Sequence, residues 1–98
     1  MTTTKNIIVS GIQPTGELHL GNYLGAIKNW LELQEKFDCY FFIADYHSLT
    51  IPYDPAEKER QTLEVAKDLV ALGITKSKLF VQSQIPEVTE LAWVFNSI

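Results

Sequence analysis

Ser10-Gly11-Ile12-Gln13-Pro14-Thr15-Gly16-Glu17-Leu18-His19-Leu20-Gly21-Asn22 sets three glycines, a proline and several hydrogen-bonding side chains directly after an apolar run. The residues before it, Asn6-Ile7-Ile8-Val9, are apolar and β-branched enough for a buried strand. Those after it, Tyr23-Leu24-Gly25-Ala26-Ile27, begin a helical pattern, so the stretch reads as a strand-to-helix turn. In an open α/β sheet such a turn lies at the carboxyl end of its strand. There, backbone N–H groups and the positive end of the next helix converge on a ligand, which suits an anion.

Working outward, 98 residues of which 46% are hydrophobic allow one small domain with its own core. The balance of 8 Lys+Arg against 12 Asp+Glu gives a net charge of -4, the opposite of the basic stripe of a module that grips nucleic acid by its phosphates. Any nucleic acid is then expected to be held mainly elsewhere. Cys39 is the single cysteine, so neither an internal disulfide nor a multi-cysteine metal site can form, and it reads as core packing in a reducing compartment. No metal site is expected from the residues themselves. No apolar run approaches the ~20 residues of a membrane span and the first five residues lack an apolar signal core, which predicts a soluble, cytoplasmic protein with no membrane partner.

In chain order, a first strand is expected over 6–10 and a first helix from near Gly21, with Leu20, Leu24, Ile27 and Leu31 on one face and Tyr23, Trp30 and Phe37 widening it. Cys39-Tyr40-Phe41-Phe42-Ile43-Ala44 is apolar throughout, the pattern of a central parallel strand covered by helices on both faces. Asp54-Pro55-Ala56-Glu57 combines an N-cap, a first-turn proline and an acid three residues after the cap, so a second helix starts there, with Leu63, Ala66, Leu69 and Val70 inward. Gly73 suits its C-terminal end. Leu79 to Gln82 is a third strand, and a third helix begins near Pro86 with Val88, Leu91, Ala92 and Phe95 at helical spacing and no stop signal before Ile98. This alternation predicts an α/β fold, a Rossmann-like parallel sheet with right-handed strand-helix-strand crossovers that stops after about three strands. Ser10 and Gly11, then Asp45 and His47, then Gln82, Ser83 and Gln84 gather at one sheet edge.

Gly11 and Gly16, or Gly16 and Gly21, have the spacing of a Walker A loop, but no Lys-Ser/Thr pair follows, and a dinucleotide G-x-G-x-x-G is absent too. What remains is His19-Leu20-Gly21-Asn22, a glycine that lets backbone approach a nucleotide between two hydrogen-bonding side chains. On residue types alone, the turn is equally plain strand-to-helix geometry, His47 a structural histidine and Asp45 a loop cap. Trp30, Trp93 and the aromatics at 40–42 read as core, and Glu57 to Arg60 as a solvated helix face.

The segment 10–26 resembles the HIGH signature region of class I aminoacyl-tRNA synthetases, in the wording of the tryptophanyl branch. Cys39 to Thr50 and Phe80 to Pro86 follow the same family's pattern, so the resemblance runs the whole length. Asn22 stands at the last signature position, where tyrosyl relatives keep a histidine. The resemblance implies ATP-dependent activation of L-tryptophan to tryptophanyl-adenylate, then transfer to tRNA(Trp), by a homodimeric parent enzyme with magnesium accompanying ATP. It implies catalytic roles for His19, at the phosphates, and Asn22. Gln13, Pro14 and Thr15 would lie along the nucleotide, and Gly21 with Asn22 against its adenosine part. Val9, Gly11, Asp45 and His47 would line the tryptophan and adenylate pocket. The second signature, K-M-S-K-S, has no counterpart, since Thr75-Lys76-Ser77-Lys78 lacks the pattern. Residues 1–98 are therefore expected to be the N-terminal part of the nucleotide-binding catalytic domain, with the tRNA-binding regions and the acid for the indole nitrogen elsewhere. Two other readings stand beside this one: a truncated nucleotide-binding module without catalysis, and another HIGH-bearing nucleotidyltransferase.

Overall fold

The computed structural model describes residues 6–14, 21, 23–50 and 52–98, for Tyr23 and Leu24 the backbone alone. Strand β1 (Ile7–Ile12) leads to a π-helical turn (Tyr23–Ile27) that continues as helix α1 (Lys28–Lys36). Then come β2 (Asp38–Ile43), a 3-10 turn (His47–Thr50), α2 (Pro55–Ala71), β3 (Lys78–Val81), a second 3-10 turn (Gln82–Gln84) and α3 (Pro86–Asn96). All three strands are parallel, in the order β1-β2-β3, so the α/β alternation read from the sequence is the observed fold. Gly21 is already helical, as expected, and the departure is that Tyr23–Ile27 wind as a π turn before the regular α-helix from Lys28. Leu20 lies outside the described residues.

Parallel pairing puts register partners on one face of the sheet, and this sorts the core. Ser10, Phe41 and Leu79 form one cross-strand row and Ile12, Ile43 and Val81 another. Both rows face the helices, since two crossovers of one hand advancing in one direction lay α1 and α2 on the same face. Ile27 from the π turn, Trp30 from α1 and Val65 and Leu69 from α2 bury against Cys39, Phe41, Ile43 and Ile74 there. The Trp30 indole stacks on Phe41 with centroids 4.2 Å apart and planes within 6°. Its Nε1 donates to Ser10 Oγ at 3.2 Å, which satisfies the one polar atom of a buried ring. Ser10 is thus a core partner and not part of the strand-end site. Cys39 is buried in this core, as expected.

The opposite face corrects the sequence reading. Val9, Tyr40 and Lys78 form one row and Gly11, Phe42 and Phe80 the next. No helix among the described residues covers them, so Val9 is 64% exposed and β2 is covered on one side only. The apolar run at 39–44 alternates in burial after all, with Cys39, Phe41 and Ile43 buried and Tyr40 and Phe42 half-buried.

Helix α2 starts where the sequence placed it, with Asp54 Oδ1 accepting from Ala56 N at 3.0 Å and Pro55 in the first turn. It ends in a Schellman arrangement: Gly73 N donates to Val70 O at 3.1 Å and Ile74 N to Leu69 O at 3.0 Å. Gly73 has φ of +111°, which a side chain would strain. The inward stripe differs from the expected one. Val65 and Leu69, four positions apart, are buried, whereas Leu63 (56%) and Val70 (52%) are exposed, since at helical spacing they lie on a different side of α2 from Val65. On α3, Val88 is half-buried, and Leu91, Ala92, Phe95 and Trp93 are exposed, Trp93 at 74%. Trp93 is therefore not core among the described residues, unlike Trp30. Gln34 ties α1 to the α2–β3 loop: its Nε2 donates to Gly73 O at 2.8 Å and its Oε1 accepts from Ser77 Oγ at 3.0 Å. That staple sets where β3 begins and so where its carboxyl end falls.

Candidate functional site

The carboxyl ends of the three strands meet at one edge, and short hydrogen bonds hold them there. Ala44 N donates to Ile12 O at 2.8 Å, joining the end of β2 to that of β1. Asp45 Oδ1 accepts from Tyr46 N and from Ser83 N, each at 3.0 Å, and so fastens the β3 exit to the β2 exit. The buried Ser48 closes the turn by donating its Oγ to Asp45 O at 2.6 Å. Asp45 therefore acts as a backbone clamp, the loop-cap role that its residue type allowed, with its Oδ1 committed to two amides.

A cavity of about 280 Å³ opens at this edge, with Gly11, Ile12 and Gln13 from the β1 exit, Phe42, Ala44 and His47 from β2 and its turn, and Gln82 from β3. Gly11 is a glycine for a steric reason: a Cβ there would stand 2.5 Å from Phe42 Cε2 and 2.6 Å from Cζ. The ring thus lies against bare backbone and forms the cavity's floor, with Phe80 beside it at 5.8 Å between centroids. His47 is exposed, and its carbonyl accepts from Thr50 Oγ1 at 3.0 Å. Val9 faces the same side as Gly11, one row further from the edge, and does not line the cavity.

On the helix side of the edge, Tyr53, Lys58 and Leu63 line a second cleft of about 520 Å³ with Asp45, Val81 and Ser83. Lys58 corrects the solvated-face reading of Glu57 to Arg60. It is half-buried, its Nζ donates to the carbonyl of the buried Pro14 at 3.5 Å, and it lies 5.8 Å from the Tyr53 ring centroid. A cation thus stands beside the residue that leads into the signature turn. Glu57 and Arg60 do belong to the exposed face, where the guanidinium at 2.6 Å holds the Glu57 carboxyl below its usual range by a hydrogen bond and by its charge.

Of the residues proposed from the sequence, the cavity brings together Gly11, Gln13 and His47. Pro14, next to Gln13, is buried and does not line the cavity, and Gly21 is exposed at the start of the following helical segment. Thr15, His19 and Asn22 lie outside the described residues. Phe42 and Lys58 were missed as site residues, and Gln82 was placed at the strand-end edge but given no role there. Phe42 was hidden in an apolar run and Lys58 in a charged one, whereas Gln82 did carry a signal as the polar residue that ends Leu79-Phe80-Val81. Among the described residues, no three His, Cys, Asp or Glu side chains gather to hold a metal ion, and no helix is long and apolar enough to cross a membrane.

An open parallel α/β sheet with its cavity at the carboxyl ends of the strands defines a Rossmann-like fold, and solved structures share it. A Campylobacter jejuni tryptophanyl-tRNA synthetase, crystallised with ADP and tryptophan, superposes with a TM-score of 0.86 at 40% identity, over 93% of this chain and 29% of that one. A tyrosyl-tRNA synthetase from Archaeoglobus fulgidus superposes at 0.81 and 24% identity, which speaks for the fold alone. The chain matches, over residues 1–98, the family described as tRNA synthetases class I (W and Y), and it belongs to that family. The tryptophan–tRNA ligase of Clostridium perfringens is 50% identical over 98 residues, 98% of this chain and 30% of the ligase. The chain spans about three tenths of the length of the relatives it matches.

Proposed function

We propose that residues 1–98 are the N-terminal part of the catalytic domain of an enzyme that activates L-tryptophan with ATP and ligates it to tRNA(Trp). The observation that carries this reading is the convergence of Gly11, Gln13 and His47 on one cavity at the strand ends, in a chain half identical to a tryptophan–tRNA ligase. Gln13, Pro14 and Thr15 lie along the nucleotide, Gly21 and Asn22 meet its adenosine part, and His19 donates to the phosphates. The amino acid rests against Gly11 and His47 in the cavity and extends toward Val9 one row beyond it on the same face, and Asp45 takes part by holding the β2 and β3 exits together.

The carboxylate of tryptophan attacks the α-phosphate in line and pyrophosphate leaves, so positioning and charge stabilisation carry the step. A helix N-terminus contributes about 0.3–1 kcal/mol to an anion, too little alone, and side-chain donors supply the remainder. Magnesium is expected with ATP, although among the described residues no three His, Cys, Asp or Glu side chains gather to hold it. The tRNA is held by regions outside this chain, which suits a net charge of -4. The full enzyme is a cytoplasmic homodimer in this reading.

Tryptophan-dependent ATP–pyrophosphate exchange and tRNA charging by the full-length protein test the proposal. With His19→Ala, exchange is expected to fall about 100- to 1000-fold, the usual loss of a transition-state donor, while tryptophan binding holds. Exchange within threefold of the parent would remove His19 from the chemistry.

A further inference from the structure

Lys58 stands where local helix chemistry would not put a cation. It is the fourth residue of α2, behind the Asp54 cap, Pro55 and Glu57, and its own N–H donates to Asp54 O at 2.9 Å. The first turn of a helix is the positive end of its dipole, which favours an acid such as Glu57 and disfavours a lysine. No carboxylate among the described residues comes within ion-pair distance of its amine to offset that cost. What the amine meets instead is tertiary: Pro14 O at 3.5 Å, 44 residues earlier in the chain, and the centroid of the Tyr53 ring at 5.8 Å, within cation–π range.

The carbonyl it reaches needs a donor. Pro14 is fully buried, and among the described residues Lys58 Nζ is the donor that reaches its oxygen. The contact is longer than the usual span of about 2.7–3.2 Å, so its hold comes chiefly from a charge acting on a dipole where water is scarce. Proline fixes its own φ near about −65°, and the freedom left at this residue is ψ, the rotation that swings the carbonyl together with the chain entering 15–22. Both supports are set in advance. Ile12 O accepts from Ala44 N at 2.8 Å, and α2 is seated by the buried Val65 and Leu69, with Thr62 Oγ1 donating to Lys58 O at 2.8 Å. We infer that Lys58 is a positioning residue: by holding the Pro14 carbonyl from α2, it fixes the angle at which the signature turn leaves β1 and so aligns ATP for reaction. The inference rests on the function proposed above, in which Gln13, Pro14 and Thr15 lie along the nucleotide, and adds to that site a residue from a different helix. The amino-acid side of the cavity does not depend on the contact, because Gly11 is fixed in the ladder ahead of Pro14 and His47 belongs to the turn after β2.

The test is exchange kinetics on the full-length enzyme with Lys58→Met, which keeps the bulk and removes the charge, and Lys58→Arg, which keeps the charge and the reach. Lys58→Met is expected to lower kcat/KM for ATP about fivefold to tenfold, with KM for tryptophan within about twofold of the parent, and Lys58→Arg to hold kcat/KM for ATP within about twofold. Lys67→Met makes the same charge change on the exposed side of α2, where Lys67 meets Glu64 at 3.9 Å, and is expected to leave both constants within about twofold. A general loss of positive charge near an ATP site would move both lysine variants alike. Should Lys58→Met not fold, Lys58→Gln, shorter and uncharged, takes its place with the same expectation.

A kcat/KM for ATP within about twofold of an active parent in Lys58→Met overturns the inference and leaves the function proposal standing. So does a matching rise in KM for tryptophan, an equal loss in the Arg variant, or an equal loss in Lys67→Met. A parent with no tryptophan-dependent exchange overturns the function proposal first and this inference with it.

Discussion

Gly11→Ala tests whether the floor of the cavity is built by contact between backbone and ring. The added Cβ would stand 2.5, 2.6 and 2.9 Å from Phe42 Cε2, Cζ and Cδ2. Carbon atoms in contact prefer about 3.5–4.0 Å, so the ring or the β1 backbone must move by about 1 Å. The backbone is held by the β1–β2 ladder and the ring has Phe80 at 5.8 Å on its far side. The half-buried ring therefore yields by turning into the cavity, toward His47 and Gln82. Overpacking of this kind costs about 1–3 kcal/mol, and the partial exposure of Phe42 puts the expected loss near 1 kcal/mol. Denaturant unfolding of the full-length protein measures the stability loss, and exchange kinetics measures the rise in tryptophan KM that follows from the filled cavity. Adding Phe42→Ala removes the clash, so the double variant should recover part of the KM that the single one loses. A Gly11→Ala protein with parent stability and parent tryptophan KM would refute the steric reasoning, and a double variant no better than the single would refute the role of the ring.

Three further outcomes are expected. Gly73→Ala should destabilise by about 1–2 kcal/mol in denaturant melts, since φ of +111° is unfavourable for a side chain and the new Cβ meets Leu31 Cδ2 at 3.2 Å. A loss smaller than a few tenths would mean that the turn re-forms without a left-handed residue. Asp45→Ala should cost about 1–3 kcal/mol, because Tyr46 N and Ser83 N lose a charged acceptor, with Asp45→Asn milder as it keeps one oxygen. Equal melts for Ala and Asn would reject the clamp. The Asp38 carboxylate at 3.1 Å raises the Lys78 amine above its ordinary range by a hydrogen bond and by its charge, with a smaller contribution from Tyr40. A raised lysine stabilises the fold at pH below its unfolded value, near 10.4, and the contribution disappears as pH rises through the folded value. The stability gap between parent and Asp38→Asn should accordingly close in alkali and shrink in salt, both atoms being at the surface. A gap independent of pH above 9 would assign it to something other than the pair.

Local chemistry carries the part of this protein that its sequence determines alone. Asp54-Pro55 begins a helix because a carboxylate accepts an early amide and proline lacks one, and Gly73 ends it because only glycine tolerates the turn. The alternation of apolar runs with helical periods demands a parallel sheet, and the 10–26 wording points to the family. These readings need no residue further than a few positions away. Partners brought together from distant segments decide the rest. Ser10 looked like part of a ligand loop, yet register turned it toward Trp30, twenty residues on. Phe42 and Gly11 are thirty-one positions apart in sequence and in contact in space only because β1 and β2 pair as they do. Leu63, Ala66 and Val70 share one helical stripe by period, but the stripe that tertiary packing buries is the one carrying Val65 and Leu69, a choice that no local pattern encodes. The burial of Gln82 Oε1 likewise exists only where three strand ends close around one cavity, since burial belongs to the assembled surface and not to the residue.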